Sequence, residues 1–406
     1  MGREFTSLQR DWMEKGRNGL IDNIKVLLYK QKADFFEFVD FENDVIYSDP
    51  FFFVYFTGAK TGEDFLNLLA IIYSQRDSQQ KNVTVGSDED GRVYLPSVGW
   101  LHTKLKTKKL NLLLSGGRFE LYKGDERIDF EFEDKNIIQG TTIELLKFPI
   151  PLLNPFYTDV NGDVISVEIE AISAKQEANL RLALSLIKGN APEHFQLIEA
   201  VTRSCVIFNV NPIQRNSFAT QSAMGIAFFN AYQEEYNEVF FVDDIAHQTG
   251  HIIFMNLIYE VGDFLKIDPE MLVQNVQRSN NTTEKRTILV LIHALYTYYA
   301  IYLCLDECLK ANSFEKEKKY EAIGRIGFYL IKCGADLSLV ENGNEGFRLE
   351  DLFTEDGLVI FNEIRNKHLY MKDKWGAICE QYTYVNQPYN FSYSKFIELN
   401  PFDGNE

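Results

Sequence analysis

Apolar residues at helical spacing open the chain: Leu20, Ile21, Ile24, Val26, Leu27 and Leu28 give one face to a helix predicted over residues 1–37. The aromatic run Phe51–Phe56 follows a Ser-Asp-Pro turn and reads equally well as a buried strand or as the start of a helix, because periodicity does not separate the two over so short a run. Gly62–Ser74 reads as a helix. From Val83 to Phe148 the pattern changes to strands, among them Arg92–Pro96, Leu110–Leu114, Arg118–Tyr122 and Arg127–Glu133. Gly116-Gly117 and Lys123-Gly124-Asp125 punctuate them as hairpin turns. The segment Phe148-Pro-Ile-Pro-Leu-Leu-Asn-Pro-Phe156 is the natural place for a domain seam.

Beyond that seam the pattern is mostly helical. Lys175–Ile187 and His194–Thr202 are amphipathic, and a short strand section follows at Cys205–Val210, Ser217–Ala219 and Gly225–Phe229. Asp243 and Asp244 precede an apolar helix, where acids complement the positive end of the helix dipole. Further helices are predicted at Pro269–Gln277, Glu284–Ala311, Glu315–Cys333 and Glu355–Trp375, with residues 386–406 lying over the surface. The expected class is therefore α+β: an N-terminal β-rich region followed by a mostly helical metal-binding domain with a small sheet. The division falls at residues 1–150, for substrate recognition or dimerisation, and 151–406, for catalysis.

Composition narrows the partners. With 406 residues, 45% hydrophobic and 14% aromatic, the chain has ample material for a core. A net charge of −18 disfavours a phosphate backbone and suits a basic peptide or a small ligand, so no nucleic acid is expected. The five cysteines are spread out and show no C-x-x-C, as buried thiols of a reducing compartment would. Met1–Lys15 is too polar for a signal peptide, and Ile288–Leu305, interrupted by His293 and tyrosines, reads as a buried helix. A cytoplasmic protein with no membrane span is the expectation, and a homodimer is open.

The candidate chemistry sits in Val242-Asp-Asp-Ile-Ala-His-Gln-Thr-Gly-His-Ile-Ile-Phe254. His247 and His251 are four apart, so on a helix both imidazoles reach one metal ion. The spacing is that of the H-E-x-x-H metalloprotease helix, with Gln248 where hydrolysis needs a glutamate to take a proton. A neutral amide does not do that work. A third ligand is required: Glu260, Asp263 and Glu270 would follow the protease pattern, and His293, in the apolar run Thr287–Tyr296, is better placed. Arg286, seven residues before His293, would stand about 10 Å away along the same helix face. It suits a bidentate carboxylate clamp, the alternative being an ion pair with an acidic neighbour.

Together these residues resemble the HExxH-motif proteins of gene clusters for peptide modification. The resemblance rests on Asn154-Pro-Phe156, Ser217-Phe-Ala-Thr-Gln-Ser-Ala-Met-Gly225, His247-Gln-Thr-Gly-His251 and Arg286-Thr-Ile-Leu-Val-Leu-Ile-His-Ala-Leu-Tyr296, and it covers roughly a third of the chain. It implies an iron(II)- and 2-oxoglutarate-dependent enzyme that uses O₂ to hydroxylate the β-carbon of a residue in a ribosomally made precursor peptide. The departure is Gln248, which replaces the usual glutamate and weighs against a peptidase more than against a hydroxylase. On this reading His247, His251 and His293 hold Fe(II), leaving positions for an oxo-acid and O₂. Arg286 holds the distal carboxylate of 2-oxoglutarate with a hydroxyl from Ser217, Ser222 or Tyr296, and Gln248 bonds the oxo-acid or orients a histidine. The alternatives are an inactive zinc-metallopeptidase relative and a non-catalytic peptide-binding protein.

Overall fold

The aromatic run that periodicity leaves open is a helix, Pro50–Thr57, in the computed structural model, which describes residues 5–58, 64–74, 81–115, 117–233, 235–277, 283–342, 348–402 and 404. Asp49 decides it. Its carboxylate accepts the amide hydrogen of Phe51, and Pro50 occupies the first turn, where a missing N–H leaves no bond unmade. Apolar all round, the helix is buried from Pro50 to Tyr55.

The class is α+β. A helix at Phe5–Gln31 precedes a strand-rich stretch, and helices dominate the C-terminal part. The chain divides into two compact units, one of Met1–Gly16, Gln176–Val201 and Gln233–Glu406, the other of Arg17–Lys175 and Thr202–Tyr232. The segment read as a seam is a 3₁₀ helix, Pro151–Phe156, within the second unit. Ile150, Leu153 and Tyr157 are buried there with Phe208 and Phe228, so the prolines shape a packed turn rather than a linker.

The second unit holds three sheets. Lys81–Gly86, Lys109–Ser115, Arg118–Lys123 and Glu126–Ile128 form an antiparallel sheet in that order, whose alternate residues Val83, Val85, Leu110, Leu112 and Leu121 enter the core. Gly124 takes the left-handed conformation at one of its turns (φ +61°), while Gly116 lies outside the described residues. Arg92–Leu95, Gly99–His102 and Glu131–Asp134 form a second antiparallel sheet. The third is parallel, Ile226–Asn230 beside Ser204–Phe208 beside Glu144–Leu145, and is buried throughout. Ser217–Ala219 contributes only a single bridge, Phe218 to Phe228.

In the first unit the histidine helix runs Glu238–Leu257, with Asn237 as its cap, so Asp243 and Asp244 lie inside the helix and are buried instead of heading it. The helix Ile288–Lys310 packs against it, capped by Thr287. That helix has the length and composition to cross a membrane, but 72% of its apolar stretch is buried within the fold.

Two expected helical stretches are strands: Leu272–Gln277 pairs antiparallel with Thr283–Thr287. Pairing and the Thr287 cap override the helical pattern read through residue 284, and Arg286 consequently stands on a strand. The helices Lys316–Asn342 and Glu355–Cys379 run beyond their expected ends. The C-terminal stretch is not simply a surface strap, because Tyr393–Leu399 is helical and Phe391 and Phe396 are buried. All five cysteines are buried thiols that form no disulfide.

Candidate metal centre

His247 and His251 lie one turn apart on the helix Glu238–Leu257, with ring centroids 5.0 Å apart. His293, from Ile288–Lys310, brings its ring to 4.6 Å from His251. Three imidazoles on one metal, each nitrogen about 2.1 Å from it, place their centroids about 4.6 Å apart at a right angle and about 5.3 Å apart at the tetrahedral angle. Both measured separations fall in that range. The helices meet so closely because of Gly250. A Cβ there would lie 3.3 Å from the Ala300 Cβ and 3.5 Å from the Thr297 Cα, so the missing side chain lets the backbones approach one residue from His251.

Electrostatics keep the trio neutral, the state in which imidazole binds metal. Burial, then the Lys332 charge, then His293 hold His247 down to about 3. Burial holds His251 far below its ordinary range, with smaller contributions from His293 and His247. Burial brings His293 to about 4, opposed by a hydrogen bond to the backbone of His251. His293 Nε2 is buried without a hydrogen-bond partner among the described residues. The nitrogen donating to the His251 carbonyl is therefore Nδ1, which fixes the ring and leaves the Nε2 lone pair bare.

Each of the three residues keeps intermediate exposure overall, while His293 Nε2 itself is buried. Among the described residues no three His, Cys, Asp or Glu side chains are already closed on a single point as a metal cage. The histidines share a neighbourhood rather than a finished coordination sphere. Their donor types still suit a metal: neutral nitrogens, two of the three ring spacings in range, and one orphaned acceptor.

The carboxylates considered as third ligand are elsewhere. The histidine helix ends at Leu257; Glu260 and Glu270 are exposed, and Asp263 pairs with Lys15 at 2.5 Å. Gln248 is buried, its Nε2 donating to Asp244 Oδ1 at 3.0 Å and its Oε1 unpartnered among the described residues. Arg286 does not share a helix face with His293. From its strand it forms an ion pair with the buried Asp336. The Tyr296 hydroxyl accepts from Gln9, and its ring packs on Phe254, whose ring also lies tilted 5.0 Å from that of His293. Ser217 and Ser222 belong to the other unit, where Ser217 Oγ accepts from Asn230 N at 2.8 Å and the Ser222 carbonyl accepts from Thr57 at 2.8 Å.

Sequence reasoning missed the surroundings of the trio. Asp243, one turn before His247, is bound by Arg325 at 2.6 Å, and Arg325 in turn by Glu321 at 2.7 Å, all three buried. Tyr329 donates to Asp243 at 3.4 Å and lies 6.4 Å, ring to ring, from His247. The signal was available: Arg325, Tyr329, Lys332 and Asp336 recur at helical spacing on one face of Lys316–Asn342, an unusual density of polar groups on a buried helix. No protein-family model and no curated protein matches the chain.

Proposed function

We propose that the protein is a cytoplasmic iron(II)- and 2-oxoglutarate-dependent hydroxylase acting on the β-carbon of a residue in a ribosomally made precursor peptide. The observation that carries the reading is the packing of His251 between His247 and His293, the Nε2 of His293 having no hydrogen-bond partner among the described residues. His247, His251 and His293 would hold the metal, which with an oxo-acid and O₂ supplies hydroxylating chemistry. The resemblance over about Asn154–Tyr302 supplies the substrate class. Gln248 favours this reading over hydrolysis, because an amide bonded to Asp244 accepts no proton from water. His293 Nδ1, held by the His251 carbonyl, sets the orientation of the third nitrogen.

The test is anaerobic titration with Fe(II) and 2-oxoglutarate. The reading expects a weak visible charge-transfer band, then, on admitting O₂, succinate release coupled to gain of one oxygen atom by a candidate peptide. If neither band nor succinate forms, the reading fails. Recovery of peptide hydrolysis by Gln248→Glu would instead establish a metallopeptidase relative.

A further inference from the structure

Close to His293 the first unit holds a cavity, lined by the end of the histidine helix, the first turn of Ile288–Lys310 and the start of Glu355–Cys379. Among the described residues every side chain that lines it is apolar, and no polar atom opens into it. The centre of a water-sized sphere has about 20 Å³ in which to move, more than the roughly 10–15 Å³ that one water needs. Water gains nothing by entering, because it requires two or more polar partners and finds none. Cavities of this kind stay dry and take up small apolar molecules.

The position of the cavity matters as much as its lining. Ile258, Val261 and Leu289 are half-buried and form its outer edge, whereas Phe254, Ile292 and Phe353 are buried at its inner end. Phe254 has its ring 5.0 Å from that of His293, and Ile292 is the residue before His293 on the same helix. A single layer of side chains therefore stands between the cavity and a candidate metal ligand. The hydroxylase reading calls for three reactants: an oxo-acid, a peptide and O₂. The carboxylates of an oxo-acid would find no donor here, and a peptide backbone no partner for its N–H and C=O groups. Dioxygen is small, uncharged and nonpolar, and loses nothing on leaving water for such a lining.

We propose that this cavity takes dioxygen and holds it behind Phe254, next to the histidine site. The assignment rests on the hydroxylase reading for the need for O₂, and on the cavity alone for the binding of an apolar gas.

Xenon is the probe, a nonpolar atom whose binding is read without metal or turnover. In the metal-free full chain under xenon pressure, the methyl NMR signals of Leu265, Ile292 and Ile360, which line the cavity, are expected to shift saturably. Those of Leu112 and Leu121, in the core of the other unit, are expected to stay in place. Leu289→Phe puts a ring into the outer edge and is expected to abolish the shifts, and Val261→Phe fills the same space from a different segment if the first variant folds poorly. With Fe(II) and 2-oxoglutarate, the filled variant is expected to lose about threefold or more in kcat/KM for O₂, read as succinate release, with kcat at saturating O₂ within about twofold of wild type. The proposal is overturned if xenon moves no cavity methyl in wild type, or if filling the cavity leaves kcat/KM for O₂ unchanged. Either result, with succinate still formed, spares the hydroxylase reading. Xenon binding in a chain that forms no succinate overturns that reading and the assignment of O₂ with it.

Discussion

Two buried polar centres in the same unit are finished in opposite ways. Asp306, with no exposed surface, is met by Lys374 at 2.7 Å, Trp375 at 2.9 Å, Lys310 at 3.2 Å and Lys367 at 3.3 Å. Burial pushes its carboxyl upward, but the Lys374 and Trp375 hydrogen bonds and the Lys367 charge outweigh it and hold the group below its usual range. At the histidine site His251 packs against both His247 and His293, and one ring nitrogen has no partner among the described residues. A fold that supplies four donors to one carboxylate is able to satisfy a buried histidine. Leaving a lone pair bare among neighbours of the same kind is what a ligand site requires. His194 is the contrast: buried and unpartnered at both nitrogens, it makes no ring contact with another histidine among the described residues. Orphanhood alone does not mark a site; convergence does.

The largest effect is expected where a buried ion pair is broken. Arg325→Met leaves Asp243 and Glu321 buried without their cation, and should cost about 3–5 kcal/mol in urea unfolding. A loss below about 1 kcal/mol would remove the contrast between structural and functional polar groups. Asp306→Asn should cost less, about 1–3 kcal/mol, because Lys310, Lys367 and Lys374 keep partial exposure and can turn to water.

His194 allows a pH test that leaves the histidine site untouched. Burial holds it down to about 4, so it is neutral in the folded chain while the unfolded chain binds a proton near pH 6.5. The sign follows: stability is complete above about pH 6.5 and falls as pH drops toward 4, by about 1.4 kcal/mol per pH unit from this group. His194→Leu should flatten the decline by that amount between pH 6 and pH 5, read as the difference in unfolding free energy between variant and wild type. An unchanged slope would show that the ring is not neutral and buried in solution.

How much of this was legible depended on whether a residue's role was local. The i, i+4 pair His247/His251 is set by one helix, and His293 by the apolar helix around it, so both could be read from spacing. The strand Thr283–Thr287 could not, because its pairing with Leu272–Gln277 overrides helical periodicity, and the placement of Arg286 on the helix face of His293 was misjudged with it. Asp243 and Asp244 were read as dipole partners because the helix start was placed too late; the Asn237 cap, a residue type that favours that position, was the missed signal. The Pro-rich turn at 151–156 misled for the opposite reason: prolines mark a break in regular structure, and only tertiary burial tells a packed turn from a linker.

The smallest effect on stability is expected at the histidine site itself. His293→Leu exchanges a ring with a bare nitrogen for an apolar side chain of similar reach. It loses one bond to the His251 carbonyl and removes one unsatisfied buried acceptor. These oppose each other, so the metal-free variant should unfold within about 1 kcal/mol of wild type. The difference should appear on adding Fe(II) or Zn(II). A metal that binds only the folded chain stabilises it by about 2.7 kcal/mol at a hundred times its dissociation constant, and wild type should gain on that order in its unfolding free energy. His293→Leu should gain little at the same concentration. Equal gains would place the metal on the pair His247/His251 with some other third group, and would return His293 to the company of His194 as a buried ring without a ligand.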